Sequence, residues 1–230
     1  MIRPPSRAGF TLIEMITVMT VIVILVSLVL SVNSLVQKKA AMQRTLAEIA
    51  SLSLAVKNYE TDNASPPRLE AVTEPKFVNG QPDNSGLSAR THGAPANGDQ
   101  LQRYTLSSQV LYRELTGDVN LDFRISNDET ARTYAGDFFR PERMRFDNPK
   151  APDRRVQFVQ DPFGNCYGYS TAGLAQEEAY TMALRRNPRT ERPTQTQLRG
   201  YNPTFDLWST TGSNVIAPTD PDRVKWVKNW

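Results

Sequence analysis

The stretch Gly9-Phe10-Thr11-Leu12-Ile13-Glu14 stands directly ahead of a long apolar run, and this arrangement decides how the chain folds. From Phe10 to Val32 the sequence contains one ionisable side chain, that of Glu14. As a helix rising about 1.5 Å per residue, this run reaches roughly 35 Å, which is enough to cross a bilayer with some tilt. We therefore predict a transmembrane helix over residues 10–32.

The nine residues before the run indicate how this helix is oriented. Arg3 and Arg7 carry the only side-chain charges of residues 1–9, so the positive-inside rule places this segment in the cytoplasm. A secretory signal peptide has a shorter apolar stretch with a small residue behind it, whereas here Gly9 stands in front. The pattern does not fit an ordinary signal peptide, and a simple signal anchor is the plainer alternative.

The string from Gly9 to Glu14 resembles the processing site of type IV prepilins, the class that includes the pseudopilins of type II secretion. The resemblance implies that residues 1–9 are a leader peptide, that prepilin peptidase cuts between Gly9 and Phe10, and that Phe10 is then N-methylated. It also implies that Glu14 pairs with the Phe10 ammonium group of another copy and sets the register of a helical fibre. A lone carboxylate inside hydrocarbon costs roughly 2.5–3.5 kcal/mol, so we expect such a partner.

Beyond the predicted span, the helix is expected to continue as a periplasmic amphipathic half over residues 33–65. Pro66-Pro67 then ends the element, because proline cannot continue a helix. Apolar residues recur at three-, four- and seven-residue steps, which predicts one apolar stripe. These residues are Leu35, Met42, Leu46, Ile49 and Val56.

The remaining residues, 66–230, are predicted to form a globular head, which makes the fold class α+β. Residues 156–159 and 167–170 alternate like two strands of a hairpin around the turn string 161–165, and residues 205–209 resemble a third strand. We predict an insertion at about 73–155, in which the pattern indicates a helix over 106–115 and no other element.

The head resembles the major pseudopilin of type II secretion at residues 47–72, in the turn string Asp161-Pro162-Phe163-Gly164-Asn165, and at the closing Asn229-Trp230. The resemblance implies a long N-terminal helix packed on a small antiparallel sheet. It also implies a structural subunit that polymerises from the bacterial inner membrane into a periplasmic pseudopilus and drives protein export. Implied partners are further copies of the chain, prepilin peptidase, other pseudopilins and the inner-membrane assembly platform.

Two alternatives to the major pseudopilin stay open. One is a minor pseudopilin or a type IV pilin that serves adhesion or DNA uptake. The other is a membrane-anchored periplasmic domain that never polymerises. Polymerisation that depends on Glu14 favours either kind of pilin-like subunit over the anchored domain.

Calcium is the one cofactor that the sequence suggests, and the resemblance places it in the loop after the last strand. Major pseudopilins bind calcium there through backbone carbonyls and aspartates. In this chain the matching loop spans residues 209–224, and its oxygen donors are Asn214, Asp220 and Asp222. Calcium takes about six to eight oxygen ligands, so carbonyl groups must supply the rest.

A second, weaker calcium candidate lies in the insertion. Asp118, Asn120, Asp122 and Glu129 stand at positions one, three, five and twelve of a loop spaced like an EF-hand. Phe123 occupies the position where that loop needs glycine for a sharp turn, which argues for a solvated polar loop instead.

Composition argues against several other function classes. Without Arg3 and Arg7 the 27 basic side chains become 25, against 24 acidic ones, so the balance does not indicate a nucleic-acid-binding protein. Cys166 is the single cysteine, so the head has no internal disulfide. The sequence carries no nucleophile-elbow, phosphate-binding or histidine-rich metal motif, and we expect no enzymatic activity.

Overall fold

The computed structural model describes residues 11–68, 77–78, 81–82, 87–95, 98–132, 134–213 and 224–230, without the side chains at 28–34, 77–78, 81–82 and 99. The chain divides into two units, residues 1–41 and 42–230. The helices and strands, in chain order, are α1 (Leu12–Asn63), β1 (Phe77–Val78), β2 (Gln81–Pro82), α2 (Gly98–Thr116), β3 (Met144–Phe146), β4 (Val156–Val159), β5 (Gly168–Ser170), α3 (Ala172–Arg186), β6 (Asp206–Ser209) and β7 (Val227–Lys228).

The first helix, α1, ends where the sequence predicts. Ala64 has a φ of 58°, the left-handed conformation that commonly ends a helix, and Pro66-Pro67 follow. The Asn63 side chain donates a hydrogen bond to the Tyr59 carbonyl at 2.9 Å, which satisfies one of the last carbonyl groups of the helix. Among the described residues, we find no helix with the length and apolar character that crossing a membrane requires.

The buried face of α1 differs from the predicted apolar stripe. Leu35 is 64% exposed and Leu46 is 47% exposed, so the prediction was wrong at these two positions. The head covers a face one residue away from Leu46, where a threonine and a glutamate stand among apolar residues. The buried residues of this face are Thr45, Glu48, Ile49, Leu52, Ala55, Val56 and Tyr59.

The strands form two small antiparallel sheets next to this face of α1, apart from the two-residue pair β1–β2. β3 pairs with β4, and β5, β6 and β7 pair in that order. The predicted hairpin of β4 and β5 forms at its turn, where an antiparallel bridge joins Gln160 to Cys166 and the Tyr167 amide donates to the Val159 carbonyl at 3.1 Å, but the two strands do not continue as a ladder beyond it. Two side chains of α2 form hydrogen bonds with backbone groups of β4 and β5 instead. Ser108 accepts from the Val159 amide at 2.8 Å, and Ser107 donates to the Tyr169 carbonyl.

The predicted insertion contributes to the core of the head. α2 begins at Gly98, eight residues before the predicted helix, and its buried residues pack with α1 and the sheets in one apolar cluster. This cluster combines Leu52 and Val56 of α1, Leu111 of α2, Val159 of β4 and Leu207 of β6. The architecture is therefore α+β, an N-terminal helix packed on small antiparallel sheets, and is consistent with a pilin-like fold.

Candidate functional site

The first described turn of α1 is closed by a reciprocal cap between Thr11 and Glu14. The Thr11 amide and hydroxyl both donate to one carboxylate oxygen of Glu14 at 2.7 Å. The Glu14 amide lies 3.3 Å from the Thr11 hydroxyl and completes the capping box. Negative charge at a helix N-terminus is also favoured by the helix dipole. The predicted assembly residue thus holds a defined place at the start of α1.

The surface around Glu14 is apolar and exposed. Thr17, Thr20 and Ser27 turn their hydroxyls back onto carbonyls of their own helix, at 2.7–2.8 Å, so they add little polarity to the surface. Every described side chain from 11 to 27 is exposed. The large apolar ones are Leu12, Ile13, Met15, Ile16, Val18, Met19, Val21, Ile22, Val23, Ile24, Leu25 and Val26. Glu14 is the single ionisable side chain of this segment.

Some predicted site residues lie outside the described residues. The processing pair Gly9 and Phe10 is among them, as are the calcium candidates Asn214, Asp220 and Asp222. Cleavage, N-methylation and calcium binding at these positions therefore stay predictions.

The second calcium candidate, residues 118–129, forms a loop organised around a buried Asp118. Its carboxylate accepts from the Tyr112 hydroxyl at 2.6 Å and from the Phe123 amide at 2.8 Å. Phe123 has a φ of 65° and Leu121 a φ of 64°, so both take the left-handed conformation. Phe123 therefore makes the sharp turn for which the sequence argument required glycine.

The other oxygens of this loop accept hydrogen bonds from its own backbone. Glu129 accepts from the Val119 amide at 2.7 Å and the Asn120 amide at 3.2 Å, and Asp122 accepts from the Arg124 amide at 2.8 Å. Over the part of the chain that the structure describes, no group of three or more histidine, cysteine, aspartate or glutamate side chains is placed to hold a metal ion. Calcium at this loop also stays a prediction.

We expect Asp118→Ala to lower the free energy of unfolding of the head by about 1–3 kcal/mol, because it leaves the buried Tyr112 hydroxyl and the Phe123 amide without their shared acceptor. Asp128→Ala is the matched control, since its exposed carboxylate accepts from the Ser126 hydroxyl at 2.5 Å and makes no other hydrogen bond or ion pair among the residues that the structure describes. Urea unfolding in calcium-free buffer measures both. Equal, small losses for the two variants would contradict the role of Asp118.

Two buried glutamates, Glu48 and Glu114, connect α1 to the head, and neither was predicted from the sequence as a functional residue. Glu48 accepts from the Tyr167 hydroxyl at 2.7 Å and lies 3.3 Å from the Arg143 guanidinium. Both glutamates could have been recognised in the sequence, because each places a carboxylate on the apolar face of a helix. Buried charges are retained only when they are paired, so each such position predicts a partner.

The second glutamate, Glu114 of α2, is held in the same way. It accepts from the Tyr59 hydroxyl at 2.7 Å and from Arg132 at 2.8 Å. Burial raises the pKa of Glu114, but hydrogen bonds from Tyr59, Arg113 and Arg132 outweigh it, and the net shift is downward. Glu114 is therefore charged at neutral pH and joins α1, α2 and the loop that holds Arg132.

The turn string at residues 161–165 is organised by a third buried carboxylate. Asp161 accepts from the amides of Phe163 and Asn165, each at 2.9 Å, and from the Ser209 hydroxyl. It thus fixes both the turn and the start of the loop in which the first calcium candidate lies. Burial raises the pKa of Asp161 above its ordinary value of 3.8, against the opposing effect of these hydrogen bonds.

This raised pKa predicts a defined pH dependence. A carboxyl whose pKa is raised by folding contributes its stability below the unfolded pKa of 3.8 and loses it as pH rises through the folded pKa. We therefore expect the stability of the wild-type head, relative to the Asp161→Asn variant, to fall as pH rises above about 4. Urea unfolding of both proteins at several pH values measures this difference. A difference that grows with pH would contradict the assignment.

The C-terminal residues close on β6. Asn229 donates its amide to the Leu207 carbonyl at 3.1 Å and accepts from the Leu207 amide at 2.9 Å through its side chain. Trp208 stacks on Trp226 with ring centroids 6.5 Å apart, and Trp230 meets Trp208 edge to face at 6.1 Å. The closing Asn-Trp pair therefore completes the packing around β6.

Five arginines stand between residues 140 and 155, and four of them are engaged within the fold. Arg143 pairs with Glu48, Arg140 with Asp137 at 3.6 Å, and Arg155 donates to the Asn120 carbonyl at 2.9 Å. Arg154 lies over the Phe146 ring at 4.4 Å. Guanidinium groups that are engaged in this way do not form an open basic surface.

The comparisons with known proteins bear on the N-terminal segment. The family described as the prokaryotic N-terminal methylation motif matches residues 4–30. No curated protein and no solved structure matches the chain. The matched segment contains Gly9, Phe10 and Glu14 and runs into α1. It indicates a type IV pilin-like protein that prepilin peptidase processes and that polymerises with pilin-like subunits.

Proposed function

We propose that the chain is a structural subunit of a type II secretion pseudopilus that polymerises from the inner membrane to drive protein export. The observation that carries this proposal is the methylation motif at residues 4–30 followed by a helix that exposes apolar side chains over residues 12–26. A surface of this kind requires cover. A bilayer supplies it before assembly, and neighbouring helices supply it in the fibre.

The proposed assembly step uses Glu14. After cleavage, the new ammonium group of Phe10 on one copy pairs with the Glu14 carboxylate of the next. Thr11 holds that carboxylate at the N-terminal end of α1 through two hydrogen bonds of 2.7 Å. Each charge is costly alone in hydrocarbon, so neutralisation favours the one helix offset that brings them together.

The head is proposed to move with the helix because polar groups join the two. Glu48 and Tyr59 on α1 bind Tyr167 and Glu114 of the head, with oxygen–oxygen distances of 2.7 Å. Separating the helix from the head would leave each buried carboxylate without a partner, which costs about 3–5 kcal/mol. A push transmitted along residues 42–63 would therefore carry the whole head. The role is mechanical, and we propose that the chain is the substrate of the peptidase and methylase and has no catalysis of its own.

Two features of the head support a pseudopilin within the pilin-like class. The Asp161-Pro162-Phe163-Gly164-Asn165 turn is fixed to Ser209, and Asn229-Trp230 packs on β6. These are the segments in which the sequence resembles major pseudopilins. A location in the bacterial inner membrane, with the head in the periplasm, follows from this proposal.

Calcium binding is kept as a proposal at either predicted site. Isothermal titration with Ca²⁺ distinguishes them, since Asp222→Ala removes binding at residues 209–224 and Asp118→Ala removes it at residues 118–129. Wild-type protein that gives no binding heat would contradict both.

A deletion strain tests the proposed function. We expect cells without this chain to retain secreted proteins in the periplasm, and the wild-type gene to restore export. Normal export together with lost surface pili, adhesion or DNA uptake would favour a type IV pilin. Loss of neither would favour an anchored domain that does not polymerise.

A further inference from the structure

A 35-residue excursion, residues 171–205, separates two strands that pair directly with each other. β5 ends at Ser170 and β6 begins at Asp206, and these two residues are register partners. A short turn would be enough to connect them. The excursion consists of α3 and a return segment, and neither adds a strand to the sheet.

The excursion is held mainly by polar contacts, and its buried apolar side chains are Ala172 at its start and Phe205 at its end. Ala172 is the single buried residue of α3. The Gln176 side chain donates to the Gln197 carbonyl at 2.9 Å and accepts from the Arg199 amide at 2.7 Å. Glu177 binds Arg192 at 2.9 Å. The helix is therefore fixed to its own return segment and leaves its outer end uncovered.

That outer end, which we call the α3 tip, comprises residues 182–189. Met182 is 61% exposed and Leu184 is 38% exposed. Arg185, Arg186 and Arg189 are also exposed, and in the described part of the chain none of the three forms an ion pair. Arg192, by contrast, is neutralised by Glu177. The helix dipole favours cations in the last turn of α3, but it does not account for Arg189 or for the exposed apolar side chains.

We propose that the α3 tip docks on anionic phospholipid headgroups of the membrane in which α1 is anchored, before the subunit enters a fibre. This inference rests on the proposed function, which supplies the anchor. Guanidinium groups bind phosphate in a bidentate manner, and apolar side chains beside them insert at the acyl boundary. An anchored chain also keeps its head at high local concentration near that surface.

The charges of the chain favour lipid over a second copy. The acids of the 118–129 loop, half-buried Asp122 and exposed Asp128, flank Arg124, and the exposed Glu142, Asp153 and Glu191 are each followed directly by an arginine in the sequence. Glu48, Glu114, Glu177 and Glu178 are paired within their own chain. The three arginines of the α3 tip, with the exposed Met182 and Leu184 beside them, complement an anionic lipid interface. They complement a protein surface of mixed charge less well.

The test uses the full chain in nanodiscs that contain brominated phosphatidylcholine, with or without phosphatidylglycerol. A fluorophore on a Pro188→Cys variant reports the tip, and the buried Cys166 stays unlabelled. We expect stronger quenching in the phosphatidylglycerol discs. A variant that combines Arg185→Glu, Arg186→Glu and Arg189→Glu should remove this difference. Each basic side chain strengthens binding to an anionic surface about fivefold, so the three together contribute roughly a hundredfold.

The control reverses three exposed charges elsewhere, with Arg124→Glu, Arg145→Glu and Lys150→Glu, and should keep the lipid dependence. Equal quenching in both lipids, or quenching unchanged by the tip substitutions, overturns the proposal. Tight binding of a DNA duplex that only the tip substitutions abolish, without lipid dependence, overturns it in favour of nucleic acid. Insertion into the discs, read by co-elution, tests the anchor separately, so failure of the proposed function is recognised independently.

Discussion

Glu14→Ala is expected to leave the chain in the membrane and to abolish its fibres. The substitution removes a charge from an apolar helix surface, so insertion improves. In the fibre, however, the Phe10 ammonium group of the next copy loses its partner among apolar helices. An unpaired charge there costs roughly 2.5–3.5 kcal/mol, which is about a hundredfold in the association constant. Membrane fractionation and electron microscopy of sheared fibres measure the two effects.

Thr17→Ala is the control for this experiment. Thr17 lies on the same apolar segment, and its hydroxyl is satisfied by the Ile13 carbonyl of its own helix at 2.7 Å. We expect normal fibres from this variant and few or none from Glu14→Gln, which keeps the shape of the side chain without its charge. Normal fibres from Glu14→Ala would contradict the pairing.

Trp208→Ala is expected to have the largest effect on the stability of the head, about 3–5 kcal/mol. The indole is fully buried, donates to the Tyr104 hydroxyl at 2.9 Å and stacks on Trp226. A methyl group added to Gly168 would lie 2.1 Å from the ring, so the ring packs directly against the backbone of Gly168. Removing it leaves a cavity, and the Tyr104 hydroxyl loses the indole donor while keeping its own hydrogen bond to the Gly93 carbonyl at 2.9 Å.

Urea unfolding measures this loss, and Val224→Ala is the matched control. Val224 is 82% exposed, and its truncation should change stability by no more than about 0.5 kcal/mol. A loss below about 1 kcal/mol for Trp208→Ala would show that the C-terminal segment does not pack around this ring.

Local chemistry predicted the elements that depend on it. The end of α1 at Asn63 follows from Pro66-Pro67, and β4 and β6 follow from alternating residues next to turn signals. The turn string at 161–165 was also predicted, because Pro162, Gly164 and Asn165 favour turns in any context. These features require no knowledge of what packs against them.

Features that depend on tertiary contacts were missed. The pairing of β4 with β3 was missed, as was the divergence of β4 and β5 beyond the Gln160–Cys166 bridge, where Ser107 and Ser108 of α2 bond to backbone groups of both strands. The face that α1 buries depends on which residues of the head meet it, and periodicity alone favoured Leu46. The excursion with α3 was not predicted either, although its run of alanine, leucine, glutamine and glutamate is typical of a helix.

The candidate site likewise has one part that local sequence predicts and another that depends on tertiary contacts. The Thr11–Glu14 cap is a local four-residue pattern, and the assembly role of Glu14, which the sequence resemblance implies, stays a prediction. The partners of Glu48 and Glu114 lie up to 119 residues away along the chain, so no local pattern names them. Only the buried position of each carboxylate indicates that a partner exists.

The central claim is that the chain enters the prepilin pathway, and mass spectrometry of its N-terminus tests this most directly. The protein is isolated from cells with and without prepilin peptidase. We predict chains that begin at N-methylated Phe10 in the first case and chains that keep residues 1–9 in the second. Chains that are uncut in both, or cut behind the apolar run, would contradict the account.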